Sequence, residues 1–553
     1  MGKIVPVLTG FHELSIPGRM ALVHDLDPHT PVMVGVGQVS DRIDRPNYRQ
    51  LSPVELAAEA SRAAIADCGA DPRSITEQID TVAGIRQFEN STPIALAPLG
   101  RSDNYPRSVA DRIGADPRRA ILEVSGGQAP QQLVNEMART IARTGSGVTL
   151  IFGAEAISTV RHLVQAERRP DFTEHRGGQL EDRGYGLEGL VSESEAKHGL
   201  IGAPPRYALF ENARRARLEQ TRTDYALSMG RLFEPFTSVA ARNVHAAAPT
   251  ERTAAELATV TERNRIIADP YPRFMVSRDQ VNQGAALLIM SVGTARSLGI
   301  PESKWVFLHG HADLREKDLL DRPDLSTSPA AIAATSHALD VAGIGAAQLS
   351  SIDLYSCFPI AVFNICDGLG LSPTDPRCLT ASGGLPFFGG AGNNYSMHAI
   401  AETVTRLRSA PGSFGLVGAN GGYLSKYSVG VYSTKPVEWR DSHSTEIQTR
   451  LDAALSISAV DTADGWAVVE SYTTKYGRTD QTGIVVGRLE DGRRFLANSI
   501  DGDVATRDML SSEQPIGQRV FARSTGRGNL VSTSVEAMNT FAAAPSSSSS
   551  FRG

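Results

Sequence analysis

Ser52-Pro-Val-Glu-Leu-Ala-Ala58 opens an Ala-rich stretch that ends at Gly69 and is followed by Ile79-Asp-Thr-Val-Ala-Gly84. The same grammar returns as Ser328-Pro-Ala-Ala-Ile-Ala-Ala334, a stop at Gly343, and Ile352-Asp-Leu-Tyr-Ser356. Serine to aspartate spans 28 residues in the first copy and 25 in the second. A serine hydroxyl accepts from an unpaired first-turn amide, and proline suits the first helical turn, so Ser52-Pro53 and Ser328-Pro329 both start helices. The β-branched Ile-Asp runs read as strands. The ordered set, occurring twice, predicts a duplicated α/β unit.

Other segments extend this pattern. Pro31-Val-Met-Val-Gly-Val-Gly37, Val148-Thr-Leu-Ile-Phe152 and Ala285 to Val292 read as buried strands. Residues 160–275 are rich in Arg, Glu and Pro and read as a long insertion with helices over Tyr207 to Glu219 and Thr223 to Leu232. From residue 447 short strands take over, at Ala467 to Tyr472, Gly483 to Leu489 and Arg494 to Ala497, with Glu490-Asp-Gly-Arg493 as a hairpin turn. A small antiparallel, OB-like β-barrel is expected over 447–535. The expected boundaries are an N-terminal extension 1–29, a first half 30–300, a second half 301–435, a linker 436–446, the barrel, and a disordered tail 536–553 ending in the serine run after Pro545.

Composition bounds the function. The chain has 553 residues, 41% hydrophobic and 21% charged, and a net charge of −6. That fits a globular chain and gives no electrostatic reason to expect nucleic acid or a membrane as partner. The barrel region carries 10 Lys/Arg against 11 Asp/Glu and few aromatics, which argues against a base-stacking platform. Residues 1–29 do not read as a signal peptide, because Gly10, His12 and Glu13 break the apolar run. Cys68, Cys357, Cys366 and Cys378 form no CxxC pair, so neither a disulfide framework nor a metal centre is expected, and a reducing cytoplasm is. His309 and His311 read as a surface or structural pair, not as metal ligands.

Several loops in order carry a family resemblance. Ser125-Gly-Gly-Gln-Ala-Pro-Gln-Gln132 leads a helix, then a strand, then Gly153-Ala-Glu-Ala-Ile-Ser158. Asn282-Gln-Gly-Ala-Ala286, Tyr355-Ser-Cys-Phe358, Ser382-Gly-Gly-Leu385 through His398, and Gly418-Ala-Asn-Gly-Gly422 follow. This order resembles the thiolase superfamily, and within it the sterol-carrier-protein-type thiolases and the type 1 thiolase-like proteins of actinobacteria, over residues 30–435. The resemblance implies a duplicated thiolase fold in five α/β/α/β/α layers, a CoA thioester as ligand with no separate cofactor, and a role in lipid or sterol metabolism. Family members dimerise through strands of the first half, so both a dimer and a monomer stay open.

The chemistry that the resemblance implies is missing. A thiolase needs a cysteine nucleophile, a histidine to activate it and a second cysteine to move the α-proton. The nucleophile position falls on Gly127 or Gln128, the histidine position within Phe388-Gly-Gly-Ala-Gly392, and the second cysteine on Gly418 or Ala419. No cysteine lies between Cys68 and Cys357. Tyr355 stands at the family's Asn or His position, where it can donate to a thioester oxygen or act as acid/base, or merely fill space. His398 faces the pocket or is a core histidine. Asn393 and Asn394 at a helix start, Asn420 between glycines, Ser125 and Gln128 are the candidate substrate contacts, with Ser125 also a substitute nucleophile. Cys357 reads as a small core residue. Arg206 and Arg214 to Arg217 either meet CoA phosphates or form a solvated face.

No classical acetyltransferase turnover is therefore expected. Thiolase-like aldolases of steroid side-chain breakdown lack the nucleophile and work with an OB-fold partner, which suggests a retro-aldol C–C lyase on acyl-CoA. The alternatives are a non-enzymatic scaffold that recruits a protein partner through the barrel, and a divergent acyltransferase.

Overall fold

The computed structural model describes residues 26–543 except 146, 189, 478, 479 and 527. Residues 1–25 of the expected extension, and the serine run of the tail, lie outside the described residues.

Two mixed sheets repeat one pattern. In the first, Ile79–Gly84 runs parallel to Val148–Ala156, which pairs antiparallel with Asn282–Ser291, which pairs antiparallel with Pro31–Ser40. In the second, Leu349–Leu354, Phe414–Gly421, Lys426–Ser433 and Phe307–Arg315 follow each other with the same sequence of directions. The duplication read from the sequence is thus a duplication of sheet topology. It also places the insertion: the second and third strands of the first sheet are joined by residues 157–281, those of the second by the turn 422–425.

The helices that follow the first strand of each copy pack on it through glycines. A β-carbon at Gly37 would stand 2.5 Å from the Ala64 nitrogen, and one at Gly310 would stand 2.8 Å from the Ala342 nitrogen. Only glycine lets the helices Pro53–Asp67 and Pro329–Ala342 sit that close to their strands. Ala129–Thr144 and Tyr395–Ser409 pack between the two sheets, which gives five α/β/α/β/α layers.

The two serine starts differ in detail. Ser52 forms a capping box with Glu55. Ser328 does not cap; its hydroxyl donates to Glu316 at 2.9 Å, and Glu316 accepts from the Ala330 amide at 3.0 Å in its place.

Five strands close the C-terminal barrel in the spatial order Gly465–Tyr476, Gln481–Leu489, Arg494–Ser499, Gly528–Ser532, Arg519–Thr525 and back to Gly465–Tyr476. The helix Val504–Ser511 follows the third strand. This is the OB arrangement. The insertion extends this sheet: Lys475 pairs with Ala268, and Ile266–Ala268 with Tyr271–Pro272. The helix Val535–Ala543 occupies the start of the stretch expected to be disordered, with Met538 fully buried. Among the described residues no helix is long and apolar enough to cross a membrane.

His309 and His311 hold the linker. Their Nε2 atoms meet the carbonyl oxygens of Lys435 at 2.8 Å and Arg440 at 3.3 Å, and His311 stacks on Trp439.

Candidate functional site

Four loops at the carboxyl ends of the strands, where α/β sheets leave a crevice, converge on one cavity of about 570 Å³. Ser125 to Gly127 precede the helix Ala129–Thr144. Tyr355 to Phe358 follow the strand Leu349–Leu354. Gly390 to Asn393 precede the helix Tyr395–Ser409. Asn420 to Tyr423 turn between two strands of the second sheet. Leu187, Leu190, Pro204 and Tyr207 of the insertion close the remaining side.

Of the residues singled out in the sequence, Ser125, Tyr355, Asn393 and Asn420 meet at this cavity. Tyr355 presents its hydroxyl with no hydrogen-bond partner among the described residues, and its ring packs edge-on against Tyr395 at 5.4 Å. Burial raises the phenol pKa well above its ordinary value, so the group stays protonated. A β-carbon on Gly127 would stand 2.5 Å from Tyr355 Cζ and 2.6 Å from the Asn420 carbonyl oxygen, and would overlap the phenol oxygen. The tyrosine thus fills the space of the side chain that Gly127 lacks. The loop of the missing histidine is refilled in the same way: a β-carbon on Gly390 would overlap Ser277 Oγ, and one on Gly392 would overlap the carboxylate of Glu155.

Asn420 Nδ2 donates to the Tyr207 hydroxyl at 2.8 Å and lies 3.8 Å from Cys357 Sγ. Its Oδ1 has no partner among the described residues although Asn420 is only 3% exposed. A buried acceptor left unpaired costs ~1–3 kcal/mol and is a natural contact for a ligand donor. Cys357 does line the cavity, but burial pushes its thiol up to about 12, which leaves no thiolate near neutral pH.

Asn393 is committed within the protein. It donates to Arg86 O at 2.7 Å and Ser91 Oγ at 3.1 Å, and accepts from the Gly126 amide at 2.9 Å. It ties two cavity loops together. Ser125 Oγ donates to Ser91 O at 3.1 Å, with no histidine or carboxylate as its partner.

Three singled-out residues do not line this cavity. Asn394 donates to Gly153 O at 2.8 Å inside the core. Gln128 wedges its amide against Gly126 and Gly421 and faces a second cavity. His398 is fully buried, with Nδ1 against Gln38 Oε1 at 2.7 Å, and burial pulls its pKa down to about 3. It is a neutral core histidine. Phe388 packs on it at 5.1 Å, and Phe387 packs on Phe233 at 5.9 Å, so neither fills the cavity. Tyr423 lies at the rim under the Arg206 guanidinium.

Of the arginines singled out, Arg206, Arg214 and Arg215 are buried and Arg217 is exposed, and none lines the cavity. Arg206 is buried against Leu200 O at 2.9 Å and Glu195 at 3.0 Å. Arg214 pairs with Asp367 at 2.8 Å over the Phe363 ring, and Arg217 pairs with the same Asp367 at 2.5 Å. Arg215 donates to Glu513 O at 2.9 Å and Tyr472 Oη at 3.2 Å on the barrel. Helical spacing placed them on one element, but tertiary contacts use that face for packing. Ser277, Tyr207 and Glu155 were not legible as site residues, since nothing local marks a side chain that complements a distant glycine.

The model of the thiolase-like protein type 1 additional C-terminal domain matches residues 446–527. No curated protein matches the chain. Among solved structures, the monomeric SCP2-thiolase-like protein type 1 from Mycobacterium smegmatis is 49% identical, with 92% of this chain and 99% of that chain covered and a TM-score of 0.80. The Ltp2-ChsH2(DUF35) aldolase is 20% identical over 73% of this chain and 98% of that chain, with a TM-score of 0.52. The dimeric peroxisomal thiolase of Saccharomyces cerevisiae is 13% identical over 74% and 99%, with a TM-score of 0.53. These last two share the fold. The 49% identity with the first over nearly the whole of both chains, together with the matched C-terminal domain, makes this chain a member of the SCP2-thiolase-like protein type 1 family.

Proposed function

We propose that the protein binds a CoA thioester without thiolytic chemistry and acts as a C–C lyase of the retro-aldol type on a β-hydroxyacyl-CoA. The observation that carries this reading is an open cavity whose nucleophile position is occupied by a protonated phenol, Tyr355 over Gly127. In the reaction the β-hydroxyl gives up its proton to water in the cavity, the Cα–Cβ bond breaks, and its electron pair passes to the enolate of the shorter acyl-CoA. The α-carbon then takes up a proton, so the products are a carbonyl compound and an acyl-CoA. Tyr355 donates its hydrogen bond to the enolate oxygen, and the unpaired Asn420 Oδ1 accepts from the substrate hydroxyl. The name of the DUF35 aldolase, which has the same fold, adds support for lyase chemistry.

The test is incubation of the full chain with a β-hydroxyacyl-CoA and detection of the carbonyl product. Tyr355→Phe is expected to lower turnover by about 10²–10⁴-fold with little change in ligand affinity. Full activity in that variant, or an acylated protein by intact-mass spectrometry, overturns the reading. Tight acyl-CoA binding with no cleavage favours the scaffold alternative, in which the barrel side recruits a protein partner.

A further inference from the structure

The cavity of Tyr355 has a neighbour. A second cavity, of about 970 Å³, lies between the helix Ala129–Thr144, the strands Phe307–Arg315 and Lys426–Ser433, and the helix Ser444–Ala453. The two cavities share two wall residues, Gly186 and Lys426. Lys426 Nζ donates to Gly186 O at 2.6 Å, and no carboxylate stands within ion-pair distance of it among the described residues. Burial lowers its pKa, against the pull of Glu188 and Glu123, and Glu123 is already held by Arg183 at 2.7 Å. A half-buried ammonium with two uncommitted N–H bonds is incomplete without an anion. The second cavity carries both signs: Glu136, Asp313, Asp441 and Asp452 line it beside Arg139, Arg143 and Arg315. Asp441 is shared by Arg139 and Arg143 at 3.9 and 3.7 Å and Asp452 is held by Arg315 at 3.2 Å, so the cation left without a carboxylate among the described residues is Lys426 at the shared wall.

We propose that Lys426 recognises an anionic group on the far end of the acyl chain, so that the acyl-CoA taken by this site is an ω-carboxyacyl-CoA whose carboxylate reaches Lys426 at the shared wall. The proposal rests on the acyl-CoA reading above. The phosphates of CoA could supply an anion of similar chemistry, and the two sources separate on titration. Calorimetric titration of the full chain with CoA, octanoyl-CoA and suberoyl-CoA compares acyl chains of equal carbon count. Suberoyl-CoA is expected to bind about tenfold or more tighter than octanoyl-CoA. Lys426→Met is expected to reduce its affinity to that of octanoyl-CoA, and Lys426→Arg to keep most of the preference. Equal binding of the two esters by the unaltered chain overturns the proposal alone, as does a Lys426→Met variant that weakens CoA as much as suberoyl-CoA. Failure of the unaltered chain to bind any of the three overturns the acyl-CoA reading as well.

Discussion

The phenol of Tyr355 stands over the α-carbon of Gly127, in the volume that a side chain on residue 127 would need. The two residues are 228 positions apart (355 − 127) and on opposite halves of the fold, yet each fits only because of the other. Gly127→Cys is therefore expected to overpack the cavity, at about 1–3 kcal/mol, and to stay unacylated in the presence of acyl-CoA. Adding Tyr355→Ala should recover part of that loss, a coupling that denaturant titration of the single and double variants reads directly. Wild-type stability in Gly127→Cys alone would mean that the phenol does not occupy this volume.

Acid stability follows from three buried histidines. Burial holds His309 and His311 down to about 4 and His398 to about 3, below the ordinary 6.5. A depressed folded-state pKa contributes stability above the unfolded value, and that stability is lost as pH falls toward the folded value. Each of these histidines should thus subtract stability as pH falls from 7 to 5, by at most about 2 kcal/mol, while the buried carboxyls of Glu89 and Glu211, raised to about 7, and Asp313, raised to about 6, act in the opposite sense. His398→Asn should take roughly one proton's worth of uptake out of the slope of stability against pH. An unchanged slope in His398→Asn would count against a neutral, buried ring at this position.

The first sheet should give a monomer. Its outer strand Arg119–Leu122 is covered by the chain's own Glu181–Asp182, which pairs with Ile121 and Leu122. Arg119 bonds Glu181 at 2.7 Å, and Arg183 bonds Glu136 at 2.6 and 2.7 Å. That pairing takes up backbone groups of Ile121 and Leu122 that a second copy would otherwise meet. Light scattering at micromolar concentration should return the mass of one chain. Replacing Arg183 by alanine should loosen the cover and raise self-association; a dimer already present in the unaltered protein would show that another face mediates it.

Arg222 clamps the barrel. It donates to Asp269 at 2.8 Å, to the Tyr472 hydroxyl at 2.8 Å, and to the carbonyls of Leu510 and Ser512 at 2.7 and 2.8 Å. Arg222→Ala leaves these acceptors unpaired and should cost about 3 kcal/mol or more. Limited proteolysis should then cut the linker 436–446 faster than in the unaltered chain. Unchanged cleavage would indicate that apolar contacts alone hold the barrel.

Much of the frame was readable along the chain. The repeated Ser-Pro, glycine-stop and Ile-Asp order marks two sheets with a shared four-strand pattern because it is local: caps, first turns and β-branched runs are set by neighbours a few residues apart. The loss of the cysteines was readable for the same reason. Tyr355 and Asn420 could be placed at the site by the order of loops. The fate of Arg214 and Arg215 could not, since helix periodicity gives a face and not what covers it. His398 read as a pocket or a core residue, with the core favoured, and its burial places it in the core. Ser328 resembled Ser52 in sequence but lost the cap to Glu316, a residue twelve positions earlier whose approach depends on the tertiary fold.

The barrel is contiguous in sequence, yet its neighbours are built around it. Asn212 donates to Tyr472 O at 3.0 Å, Arg215 reaches Glu513 and Tyr472, and the Asn529 backbone amide donates to His198 Nε2 at 2.8 Å. A chain truncated at residue 446 would expose these groups, and the insertion that closes the cavity would lose the surface it folds against. The C-terminal unit is therefore not a detachable attachment. Any ancestor that gained it had to remodel its insertion at the same time, and any shortened version made in the laboratory should be expected to fail first at the mouth of the cavity, far from the cut.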